Sequence, residues 1–168
     1  MKLKNIFMLL ALTLGTFAFV ACGDDDDVTP QKKASEVNKK VVGTYQGWTR
    51  LTTNFINKNY TNDTFTLALA DDGSLEATFT DATWGTATIT GIQATDENAD
   101  AQFELKGGEG SFVMNDIRNG GTQTFSCKLE SATVNPKDQQ MTAVISAHME
   151  VGHGDMTFTF QTGEMPTE

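Results

Sequence analysis

The stretch Phe65-Thr66-Leu67-Ala68-Leu69-Ala70-Asp71-Asp72-Gly73-Ser74-Leu75-Glu76-Ala77-Thr78-Phe79 decides the fold class. Phe65, Leu67 and Leu69 alternate with Thr66 and Ala68, and Leu75, Ala77 and Phe79 alternate with Glu76 and Thr78. A period of two places each set on its own face of a strand. Asp71-Asp72-Gly73-Ser74 separates the two runs, and Asp-Gly tolerates the positive φ that a tight hairpin requires. The stretch therefore reads as an antiparallel hairpin with one apolar face.

The same alternation extends outward in both directions. Upstream, a first strand is expected over residues 42–52, with Tyr45, Gly47 and Leu51 on one side and Trp48 and Arg50 on the other. The polar residues 54–62 read as a loop. Downstream, strands are expected over residues 84–92, at Ala101, Phe103 and Leu105, and at Phe125, Cys127 and Leu129. Two more follow over residues 141–149 and at Met156, Phe158 and Phe160, and a short segment at Phe112 and Met114 is the weakest of the set. Turns fall at Asn119-Gly120-Gly121, Asn135-Pro136-Lys137-Asp138 and Gly152-His153-Gly154-Asp155. This all-β pattern of nine candidates suits an antiparallel up-and-down barrel, since closing a meander removes the exposed edges. A closed antiparallel meander needs an even number, so about eight strands are expected.

The N-terminus has a different character. Lys2 and Lys4 precede an apolar run over residues 6–20, broken only by Thr13, Gly15 and Thr16. Crossing a bilayer takes roughly 20 apolar residues, so this shorter run fits the hydrophobic region of a secretory signal peptide. Val20-Ala21-Cys22 resembles the lipobox of bacterial lipoproteins, with Phe19 where that family usually has Leu. The resemblance implies cleavage before Cys22, acylation of its thiol with palmitate-like chains, and anchoring in the outer membrane. One acyl chain binds only marginally, at about 0.8 kcal/mol per buried CH₂; lipoprotein maturation attaches two or three.

Gly23 followed by Asp24, Asp25, Asp26 and Asp27 is similar to the acidic signal that sends Bacteroidetes lipoproteins to the cell surface. A solvated, charge-repelling tether accounts for the same residues. Residues 28–40 are polar and read as a linker, with at most one helical turn over residues 34–40. The expected organisation is a signal peptide over 1–21, an acylated cysteine and tether over 22–40, a barrel over 41–163 and a tail over 164–168.

The chain carries 12 basic and 22 acidic residues. Loss of the leader removes Lys2 and Lys4, leaving ten basic residues against 22 acids and a net charge of −12. That balance argues against a nucleic-acid partner, because phosphate contacts need Lys and Arg. With Cys22 assigned to lipid, Cys127 stands alone and reads as an inert core thiol.

Gly43-Thr44-Tyr45-Gln46-Gly47, the segment Trp84-Gly85-Thr86-Ala87-Thr88-Ile89-Thr90-Gly91-Ile92 and Met156-Thr157-Phe158-Thr159-Phe160 resemble the calycin-like barrels of Bacteroidetes lipoproteins. Those are relatives in shape of the lipocalins. Tyr45 stands where lipocalins have Trp, and neither Arg50 nor Arg118 lies in the last strand to cover it. The resemblance thus implies a shape rather than a ligand-carrying role.

No catalytic constellation is visible. The carboxylates are scattered, and neither a nucleophile elbow nor a phosphate loop is present. His148 and His153, near Glu150 and Asp155, read as surface residues rather than metal ligands. Asp63-Thr64 resembles the acceptor of Bacteroidetes O-glycosylation. Phe65, Phe79, Phe103, Phe125, Phe158 and Phe160 fall on the inner face, alternating with small alanines. They read either as a packed core or as the lining of a pocket for a small apolar ligand. The expectation is a non-enzymatic, membrane-anchored barrel without a cofactor, binding a small apolar molecule or displaying an interaction surface. The alternative is a protein-binding module, such as a protease inhibitor or a subunit of an envelope complex.

Overall fold

The computed structural model describes residues 30–96, 98, 101–116, 119–149 and 154–167. Its elements are α1 (Pro30–Val41), β1 (Gly43–Thr52), β2 (Asn57–Leu69), β3 (Leu75–Asp81), β4 (Gly85–Ala94), β5 (Phe103–Lys106), β6 (Glu109–Asn115), β7 (Thr122–Asn135), β8 (Gln140–His148) and β9 (Met156–Thr162).

The hairpin of β2 and β3 forms with Phe65 opposite Phe79 and Leu67 opposite Ala77 on the inner face. Thr64 meets Thr80 and Thr66 meets Thr78 on the outer face. Gly73 takes φ 82°, and Asp72 Oδ1 accepts from the Ser74 amide at 2.9 Å and its hydroxyl at 2.6 Å. These bonds lower the Asp72 pKa, the Ser74 hydroxyl contributing most.

Every pairing is antiparallel, and β1 pairs with β9 from Gly47 opposite Thr162 to Thr52 opposite Thr157. That pairing joins the first and last strands and closes the barrel. The nine segments fill eight positions around it. β4 pairs with β6 over residues 85–90 and with β5 at Gln93 and Ala94. β7 pairs with β6 over residues 122–128 and with β5 over residues 132–134. β5 and β6 therefore lie end to end in one position between β4 and β7. Gly107 and Gly108 join them at φ 74° and 102°, conformations that favour glycine. The Phe112 segment is a real strand of seven residues; the even count is met because it shares its place with β5.

Two stretches differ from the sequence expectation. Residues 57–62, expected in a loop, extend β2 and pair with β1. The register shifts between Gly47 and Trp48, where Asn62, at φ 66°, is an extra residue on β2. Such a bulge turns the following side chains to the other face, which hides the alternation from a period-two reading.

The second correction concerns residues 30–40, expected to be tether. They form α1, and Val37, Asn38 and Val41 on it are buried. Asn38 Nδ2 donates to Gly73 O at 2.8 Å and Gln93 Oε1 at 2.9 Å, while its Oδ1 accepts from Ala94 N at 2.8 Å. Tyr45 Oη donates to Val41 O at 2.9 Å. The helix thus closes the barrel end that holds the β2–β3 turn. Its inward stripe, at spacing i, i+3, i+4 and i+7, has Asn38 where a hydrophobic residue would reveal it.

Candidate functional site

Phe65, Phe79, Phe103, Phe158 and Phe160 are buried on the inner face, and Phe125 is half-buried. Phe112 joins them, although its weak strand pattern conceals it in the sequence. The ring centroids of Phe112 and Phe158 lie 5.0 Å apart, those of Phe79 and Phe158 5.5 Å, and those of Phe65 and Phe160 5.7 Å. These are packing distances. β6 and β3 each stand three positions from β9 around the barrel, so the contacts cross the interior. At this level the phenylalanines fill the space by touching one another.

A polar site lies at the other end of the barrel from α1. Asp63 on β2 and Asp81 on β3 sit one register step beyond the Thr64–Thr80 pair, and each is 1% exposed. Asp81 Oδ1 accepts from Thr83 N at 2.7 Å and Trp84 N at 2.8 Å, shaping the turn into β4. Its Oδ2 is buried without a hydrogen-bond partner, as are both carboxylate oxygens of Asp63. Thr49 Oγ1, Asn59 Oδ1 and Trp84 Nε1 share that condition. Most buried polar atoms in proteins are paired, so five orphans on residues lining one cleft, with Thr49 Oγ1 beside them, form a distinct feature.

The bulge at Asn62 helps build the site. After it, Tyr60 stands opposite the buried Thr49 and meets Trp84 edge-on at 6.1 Å. Lys58 Nζ lies 5.5 Å over the Tyr60 ring. Lys58, Tyr60, Trp84, Thr61, Asp63, Asp81 and Met165 line a cleft of about 530 Å³. Burial pushes Asp63 up to about 6; the Thr49 hydroxyl opposes the shift and the Asp81 charge adds to it. Thr49 is close enough to act on Asp63 without forming a well-aligned hydrogen bond.

A period-two count carries the signal for this pair. Asp63 lies two residues before Phe65 and Asp81 two after Phe79, so both belong to the apolar face of the hairpin. Asp63, noted in the sequence beside Thr64 as a glycosylation-like acceptor, has its carboxylate buried.

Other candidates are structurally plain. Cys127 is buried, and burial pushes its thiol up to about 11, away from the reactive thiolate. His148 Nδ1 lies 2.6 Å from Asp155 Oδ1 on the exposed surface. Among the described residues no three of His, Cys, Asp and Glu gather as a metal group. Glu150, Arg118, His153, Cys22, Asp24, Asp25, Asp26 and Asp27 lie outside the described residues, and among those described no helix is long and apolar enough to cross a membrane.

No family model, curated protein or solved structure was found to match the chain.

Proposed function

We propose that this protein is a calycin-like lipoprotein of the cell envelope, held on the outer membrane through acylated Cys22 and directed to the cell surface by Asp24, Asp25, Asp26 and Asp27. Its barrel serves as a non-enzymatic binding module. The observation that carries the reading is the contrast between the two ends of the interior. The phenylalanine cluster satisfies itself by packing, while the cleft around Asp63 and Asp81 leaves buried polar atoms for something else to meet. The cleft, rather than an apolar pocket, is therefore where the module binds.

The test separates anchor from cleft. Cys22→Ser moves the protein from the membrane fraction to the soluble one. Retention in the membrane would refute the lipid anchor. Native mass spectrometry of the full chain from its own cells detects material bound to the wild type and absent from Asp63→Asn.

The paired carboxylates also favour a second reading, as the acid and base of a hydrolase. Turnover of a glycoside panel by the wild type, lost in Asp63→Asn, would select it.

A further inference from the structure

We propose that the cleft binds a hard divalent cation of the calcium class between Asp63 and Asp81, with Thr49 as a further ligand. This rests on reading the cleft as the binding site. The argument begins with register. Directly opposed side chains on antiparallel strands have Cβ atoms about 4.5–5.5 Å apart. Asp63 and Asp81 lie one register step beyond Thr64 and Thr80, each 1% exposed, and when both are ionised they repel unless a positive species lies between them. None comes from an ion pair of the described residues: neither aspartate takes part in one. Lys58, the cationic side chain of the cleft, lies over the Tyr60 ring.

The second observation comes from the neighbouring strand. Thr49 on β1 is fully buried, and its hydroxyl, which makes no well-aligned hydrogen bond, lies close enough to act on the Asp63 carboxylate. Asp63 Oδ1 and Oδ2, Asp81 Oδ2 and Thr49 Oγ1 make four free oxygens from three adjacent strands. No nitrogen or sulfur ligand stands among them. An all-oxygen set with two carboxylates selects a hard cation. Calcium takes six to eight oxygens in flexible geometry and accepts waters for the remainder. Trp84 Nε1, an orphan donor on the cleft wall, is suited to donate to such a water.

The test is thermal unfolding of the full chain in detergent, first with chelator and then with millimolar calcium, for the wild type, Asp63→Asn and Asp81→Asn. Calcium raises the wild-type midpoint by several degrees through binding to the native state. Either substitution abolishes the rise or weakens the apparent affinity at least about tenfold. Equal responses in all three chains would overturn the site. Absence of any wild-type response to calcium, magnesium or manganese would overturn the cation. In that case the chelator-treated chains decide the underlying reading. A midpoint for Asp63→Asn above the wild type keeps the cleft as a site for another ligand, and a midpoint below it makes the pair a structural unit and removes both proposals.

Discussion

Asp63 and Asp81 stand side by side on the inner face of β2 and β3, each 1% exposed, and no cation among the described residues pairs with either. The barrel carries this repulsion at the end away from α1, within a few residues of a tightly packed aromatic core. Stability and ligand response should therefore divide between the two regions.

The first consequence is a pH dependence. Asp63 has its pKa raised from 3.8 to about 6 in the folded chain. The folded state then holds the proton more tightly than the unfolded one, so stability falls as pH rises between those values. Urea unfolding in chelator at pH 7.5 should show Asp63→Asn more stable than the wild type by about 1–3 kcal/mol. The difference should shrink toward pH 4. A loss of stability at pH 7.5 would mean that the Asp63 charge is satisfied in the fold.

Asn38 tests the helical cap. Asn38→Ala removes the partners of Gly73 O, Gln93 Oε1 and Ala94 N together. Leaving buried polar groups unpaired costs about 1–3 kcal/mol. Denaturant midpoints should fall accordingly, while the cation response of the distant cleft stays intact. An unchanged midpoint would show that α1 is dispensable to the barrel.

Phe158 probes whether the interior is full. Its ring lies 5.5 Å from that of Phe79 and 5.0 Å from that of Phe112, reaching strands on both sides of the barrel. Truncating a packed phenylalanine costs about 3–5 kcal/mol. Phe158→Ala should lose that much in equilibrium unfolding. A loss below about 1 kcal/mol would identify the ring as the wall of a hollow pocket.

Cys127 offers a check on its surroundings. A thiol pushed up to about 11 and buried should resist a water-soluble thiol reagent in the native Cys22→Ser chain. It should react fully in denaturant. Rapid native labelling would show that β7 opens.

The acidic run is testable apart from the anchor. Replacing Asp24, Asp25, Asp26 and Asp27 with Asn should leave the protein in the membrane fraction but protect it from protease added to intact cells. Unchanged shaving would reduce the run to a tether.

Sequence alone determined what is local. Alternation in the hairpin assigned Phe65, Leu67, Ala77 and Phe79 to one face, and Asp72-Gly73 placed the turn, because strand period and turn chemistry depend on neighbours in the chain. Tertiary structure decided what depends on distant partners. The β1–β9 pairing closed the barrel, and collinear β5 and β6 reconciled nine segments with eight positions. Asn38 buried a helix whose own composition is polar, because its partners are backbone groups at Gly73 and Ala94. The bulge at Asn62 reversed the faces of β2 and brought Tyr60 beside Thr49. Asp63 and Asp81 already lay on the apolar face by count. Their burial required β2, β3 and the turn to Trp84 to close over them, since desolvation belongs to the assembled barrel and not to any residue within it.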